Sequence, residues 1–330
     1  MNKKERYDER DLSAIQSANL LREDAGQSIF FARELEHIKT KSYDVLFPNL
    51  TATRMIPVSM DAGSGAKTIT YRQYENVGFA KIISNYATDL PRTDVTGKEF
   101  SSPIRAIGNS YGYNIDDIRA AQMSGKPLEQ RRANAARQAD AQLVNQIAYK
   151  GDTANGLNGF FTHPNITSYT LPTDGVGNGT TAGTVAAAKF VNKTPDQVLR
   201  DLNGIVNTPT TLTNGVENVD TVLLSHTVFS DLNTRPRSTT SDTSILQYFK
   251  NNNPGVTVER IPECAGAGAG GTDIVVAYTK SPDKLTLEIP QAFEQFPPQA
   301  KGLEFEIPCH SKCGGVIIYY PLSICKAEGC

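Results

Sequence analysis

The chain has 330 residues and a formal net charge of −2. Its hydrophobic fraction of 39% and charged fraction of 21% describe a soluble, core-forming protein and exclude a disordered or membrane-embedded chain. Near-neutral charge leaves no global basic field to attract nucleic acid, so any such contact must come from a local patch.

The stretch from Met1 to Asp11 is dense in charge and has no apolar run of the kind a secretory signal needs. The purely apolar stretch around Val316–Tyr320 is far too short to cross a bilayer. These features predict a chain kept in a cytosol-like compartment with no membrane partner. The five cysteines (Cys264, Cys309, Cys313, Cys325 and Cys330) are odd in number and are expected as free thiols.

In chain order, Asp11 to Arg22 is a weak helical candidate. Gln27 to Thr40 is amphipathic, with Phe31, Leu35 and Ile38 at spacings of four and three. Pro48 and Pro57 then punctuate an extended stretch. Helices joined to an extended segment ahead of any sheet read equally as an arm packed on a neighbouring subunit or as a helix on its own domain. Lys67 to Ile83 alternates in strand fashion, and Tyr86 to Phe100 is polar and charged. Two such strands carry so little apolar surface that a hairpin made from them needs outside support.

The clearest helix runs from Pro127 to Lys150, with Gly151 as its stop. Ala136, Leu143 and Ile147, flanked by Ala133, Ala139 and Val144, predict its buried stripe, with Arg131, Arg132, Arg137 and Asp140 largely elsewhere. At 1.5 Å per residue it would be roughly 35 Å long. Thr194-Pro195-Asp196 opens a further helix carrying Val198, Leu202, Ile205 and Val206. Thr227–Leu232 and Ser244–Lys250 read as short helices. Val219–Ser225, Val256–Ile261, Asp273–Thr279, Leu285–Ile289, Leu303–Ile307 and Gly314–Tyr320 read as strands. The class is α+β, with no internal repeat.

No catalytic constellation emerges. Gly266, Gly268 and Gly271 form G-x-G-x-x-G, but the Thr272–Tyr278 run that follows is strand-like, whereas a pyrophosphate site needs a helix N-terminus there. The four histidines lie in no H-E-x-x-H pattern, and there is no nucleophile elbow. Ser225 and His226, read as strand neighbours, point to opposite faces. The remaining candidate is Cys309-His310-Ser311-Lys312-Cys313 with Cys325 and Cys330 downstream, a possible zinc set whose C-x₃-C spacing departs from paired C-x₂-C knuckles. No cofactor is expected.

The segment Tyr43 to Ile166 resembles the major capsid proteins of tailed bacteriophages. The resemblance is carried by Met55-Ile56-Pro57-Val58, Thr68-Ile69-Thr70-Tyr71-Arg72-Gln73-Tyr74 and Asp89-Leu90-Pro91-Arg92-Thr93-Asp94-Val95. Ser110-Tyr111-Gly112-Tyr113, the Arg-rich helix and Gly156-Leu157-Asn158-Gly159 complete it. Val222-Leu223-Leu224-Ser225 and the final strands match more loosely.

The resemblance implies a Hong Kong 97-type coat fold. Its parts would be an N-terminal arm at 1–55, an E-loop hairpin at 56–100, a peripheral domain at 101–159 with a spine helix at 127–150, an axial domain at 160–285, and return strands at 286–330 completing the peripheral domain. It implies a subunit that forms hexamers and pentamers of an icosahedral phage head around double-stranded DNA. Scaffolding, portal and possibly decoration proteins would be partners, the DNA contact would be non-specific, and assembly would take place in the bacterial cytoplasm. On the hairpin, Arg72, Asp89, Arg92 and Asp94 are candidates for contacts between subunits. Two alternatives stand: a bacterial nanocompartment (encapsulin-like) shell protein of the same fold, and a cytosolic metal-dependent enzyme using His310 and the C-terminal cysteines.

Overall fold

The computed structural model describes residues 49–82, 91–124, 128–238, 240 and 242–330. The two N-terminal helical candidates, Asp89 and Pro127 lie outside the described residues.

The described chain begins with one helical turn, α1 (Ala52–Met55), and a two-residue strand, β1 (Val58–Ser59). Strands β2 (Thr68–Val77) and β3 (Asp94–Pro103) then pair antiparallel through ten register positions, from Thr68 opposite Pro103 to Val77 opposite Asp94. The expected hairpin is therefore present and continues to Pro103. At about 3.3 Å per residue its ladder is about 33 Å long. Ser102 is its one buried residue among those described, so it has almost no core of its own.

β4 (Arg105–Asn114) and α2 (Ile115–Ser124) follow without any forewarning in the sequence. Along β4 only Ile107 is buried, and two glycines interrupt the pattern. Its conformation is imposed by a distant partner, β12 (Glu304–Cys313), which pairs with it antiparallel over ten positions. Propensity yields to tertiary pairing here.

Helix α3 (Leu128–Lys150) agrees with the expected span. Its buried face is rotated from the expected stripe. Ala136, Asp140, Val144, Ile147 and Ala148 are inside, while Ala139 and Leu143 are exposed. Small alanines on both sides of the helix made the stripe ambiguous, and the β4–β12 sheet selects the face with the closest fit. Asp140 is buried because Ser311 Oγ donates to its carboxylate at 2.6 Å. Arg132, expected in solvent, donates to the Gly112 carbonyl and pairs with Asp117 at 3.0 Å.

The helix ends at Gly151, whose φ of +71° suits glycine. The chain then doubles back so closely that a Cβ on Gly159 would lie 2.3 Å from Gly151 N. That approach lets Phe160 N–H donate to Ala148 O and Phe161 N–H to Tyr149 O, which buries both phenylalanines.

The second half builds a five-stranded sheet. After β5 (Thr167–Tyr169) comes α4 (Pro195–Leu212), which starts where expected because Thr194 and Gln197 form a reciprocal capping box. Next come β6 (Thr221–Leu224), α5 (His226–Thr234), α6 (Ile245–Asn252), β7 (Thr257–Arg260) and β8 (Ile274–Tyr278). Ser225 is not in a strand, as the sequence suggested. It caps α5, its Oγ accepting from Val228 N–H at 3.2 Å, and His226 is the first residue of that helix. The glycine-rich segment precedes strand β8, as its sequence context indicated.

The tail supplies β9 (Leu285–Glu288), β10 (Gln291–Gln295), β11 (Gln299–Lys301), then β12, β13 (Gly315–Ile318) and β14 (Ile324–Glu328). These strands do not complete one sheet. β9 lies between β1 and β13, while β10 and β11 pair with successive stretches of the β12 edge opposite β4. β14 inserts into the five-stranded sheet, whose order is β5-β14-β8-β6-β7. Within 286–330, β14 thus joins the five-stranded sheet, paired parallel with β5 on one edge and antiparallel with β8 on the other.

Two-residue alternation couples the two halves. Leu223, Val276 and Tyr278 face the core shared with α3 and β13. Val222, Leu224, Val275 and Ala277 face the core shared with α4, α5 and α6.

Candidate assembly surfaces

The hairpin is fastened to the body near its base. Tyr71 stacks on Phe100 across the ladder (centroids 5.3 Å apart) and meets Tyr319 edge-on at 5.0 Å. Ser102 Oγ donates to Gly314 O at 3.3 Å, and Ile104 N–H to Lys67 O at 2.9 Å. Beyond the base the apolar side chains are open: Tyr74 is 66% exposed, Val77 54%, Phe79 71% and Val95 57%. A run of exposed aromatic and branched residues on a thin projection is the signature of an interaction surface.

Of the four residues singled out in the sequence, Arg72, Arg92 and Asp94 are described. Arg72 already faces Glu99 directly across the ladder, with Nε–Oε1 at 3.5 Å and both side chains more than half exposed. Asp94 closes the ladder, and its carboxylate accepts from Val95 N–H at 2.8 Å. Arg92 is exposed beside it, and Asp89 is outside the described residues. Between the hairpin and the β1–β9–β13 sheet opens a cleft of about 940 Å³, lined in part by Val58, Met60, Asp61, Tyr74, Asp283 and Tyr320.

The cysteine–histidine cluster does not form a site. Cys309 through Cys313 are successive residues of β12, so Cys309, Ser311 and Cys313 turn inward while His310 and Lys312 lie on the other face. Among the described residues, no three of His, Cys, Asp and Glu converge as metal ligands. All five cysteines are buried and unpaired with one another. Burial pushes their thiols up, Cys313 to about 11 and Cys325 to about 12. Cys264 and Cys330 also rise, for the same reason.

Two polar networks were not foreseen. Lys193 and Asp201, both with fully buried side chains, form an ion pair that Arg200 and Asp174 extend to the surface. Nothing in the sequence distinguishes this lysine from a solvated one. At the start of the described chain, Asn145 Oδ1 accepts from Thr51 N–H (3.1 Å) and Ala52 N–H (2.9 Å), while its Nδ2 donates to Glu263 at 2.7 Å. Thr51 Oγ1 also bonds Tyr149 and Glu263, each at 2.8 Å. This clasp holds Thr51 and Ala52 against the long helix.

A thin hairpin, a long helix against a long two-strand ladder, and a separate five-stranded sheet flanked by helices together define a Hong Kong 97-type coat-protein fold. The same architecture occurs in the capsid of Myoviridae phage XM1, with a TM-score of 0.77 at 18% identity over 92% of this chain and 99% of that one. Structures from Mycobacterium phage Bobi (TM-score 0.60, 11% identity, 90% and 96% covered) and Mycobacterium phage Ogopogo (TM-score 0.59, 12% identity, 91% and 99% covered) share it. A family model described as "Major capsid protein" matches residues 78–330. The chain belongs to the major capsid protein family and is a capsid shell protein. No curated protein matches it.

Proposed function

We propose that this chain works by association into hexamers and pentamers of an icosahedral head that encloses double-stranded DNA, and that it catalyses no reaction. The supporting observation is the β2–β3 hairpin, a ten-pair ladder with one buried residue and an apolar outer half. A two-stranded ribbon of that kind is marginal in water and gains stability when a neighbour covers it. In this reading the hairpin is the E-loop, α3 is the spine helix, and residues 1–55 are the N-terminal arm. The five-stranded sheet would be the axial domain, with β14 added to it. Arg72, Asp89, Arg92 and Asp94 would contact neighbouring subunits, and scaffolding, portal and decoration proteins and non-specifically bound DNA would be the other partners. Assembly would take place in the host cytoplasm. The family assignment does not favour the nanocompartment or metal-enzyme alternatives.

Negative-stain microscopy of the expressed chain, with and without the products of its neighbouring genes, tests this. Closed shells or ring-like capsomers are expected. A monomer under every assembly condition, scaffold included, overturns it.

A further inference from the structure

Under the base of the hairpin lies a second, smaller cavity of about 220 Å³. The hairpin supplies Tyr71, Gln73 and Phe100–Ser102 to its wall, and the body supplies Asn158, Val316–Tyr319 and the turn that begins at His163. His163 is half-buried there. Its Nδ1 accepts from Asn165 N–H at 3.3 Å, a bond that exists only while that nitrogen carries no proton. The titratable groups lining the cavity besides His163 are Tyr71 and Tyr319, and both are neutral through the physiological range. No carboxylate lines it. The nearby Lys326 lies outside the lining; it donates to Phe161 O at 3.2 Å and pairs with Glu328 at 3.0 Å.

We infer that His163 is a pH-sensitive latch for the hairpin: neutral, it lets the hairpin base close over the cavity, and protonated, it favours the base lifted and the imidazolium hydrated. A charge placed in this cavity meets no anion, loses the Asn165 bond and is partly stripped of water. Burial accordingly lowers the affinity of His163 for a proton below that of an ordinary histidine. The sign follows directly. The proton binds the lifted state better than the closed one, so the closed state is favoured above the ordinary histidine range. That advantage fades as pH falls through it and levels off below the depressed value. The latch concerns the chain's own hairpin and does not depend on which assembly the chain forms.

Amide hydrogen exchange on the full chain at pH 7.5 and 5.0 tests the latch, with each peptide normalised to its intrinsic rate and α4 as internal reference. Exposure of residues 68–72 and 99–103 should rise at low pH, by about tenfold for each pH unit that separates the two states' affinities. His163→Gln should keep the protection seen at pH 7.5 and lose the rise. A companion measurement needs no variant. Exchange at the imidazole C2 hydrogen should give His163 a midpoint below that of an ordinary histidine in a model peptide. An unchanged hairpin base in the native chain, the same rise in His163→Gln, or a midpoint at or above that of the model peptide each overturns the inference. Microscopy of the same samples reports shell or capsomer formation separately, so loss of the latch and loss of the assembly reading are distinguishable.

Discussion

Lys193 and Asp201 bring opposite charges together with both side chains fully buried, and each offsets part of the cost of burying the other. Lys193→Met should therefore cost roughly 3–5 kcal/mol in denaturant unfolding, because it strands a buried carboxylate with Arg200 alone. Pairing it with Asp201→Leu should recover part of that loss, since the cost lies mostly in the unpaired charge. If the single variant unfolds like the native chain, the pair does not stabilise the fold. The cysteines yield a second expectation at this scale. A thiol that is both buried and held above its ordinary range offers little thiolate to attack. Ellman's reagent should label none of the five promptly in the folded chain and all five in denaturant. Prompt labelling of Cys309 or Cys313 would mean that β12 opens away from α3.

The hairpin separates two kinds of contact that look alike on paper. Arg72 and Glu99 face each other but are both exposed, and such pairs contribute about 0–1 kcal/mol. Tyr71 touches both Phe100 and Tyr319, and aromatic pairs add about 0.5–1.5 kcal/mol each beyond the area they cover. Tyr71→Ala should thus loosen the hairpin base in hydrogen exchange, whereas Arg72→Ala should leave the exchange of the isolated chain unchanged. If Arg72 does bind a neighbour, its loss will show instead in the yield of shells. The comparison also marks which elements were readable in advance. β2 announced itself through alternation, and α3 and α4 through caps and periodicity. β4 and α2 did not, because Arg105–Asn114 has one buried side chain and becomes a strand only through its ten-position pairing with β12, about two hundred residues away. Ser225 was misread because capping replaced the last position of a strand-like run, a difference that depends on Asp273 also accepting from its hydroxyl at 2.5 Å.

For the molecule as a whole, the hairpin should be dispensable to folding and indispensable to assembly. Lys67 and Ile104 are already hydrogen-bonded, so residues 68–103 can be replaced by a two-residue turn without moving their flanks. Both buried clusters lie outside the excised segment, and the shortened chain should melt cooperatively within a few degrees of the native one, on the order of 1–2 kcal/mol. It should form no shells in microscopy; normal shells from this variant would remove the hairpin from the assembly account. The sequence by itself determined the helices with caps and stripes, the presence of an undersupported hairpin, and the lack of any nucleophile or cofactor motif, because these depend on residues close together in the chain. Only the tertiary structure decided which face of α3 is inside, that the tail divides among three sheets, that Asp140, Lys193 and Asp201 are buried, and that His163 lies beneath the hairpin. Each of these depends on which distant strand fills a given edge or which distant partner satisfies a given charge, and local propensity carries no record of either.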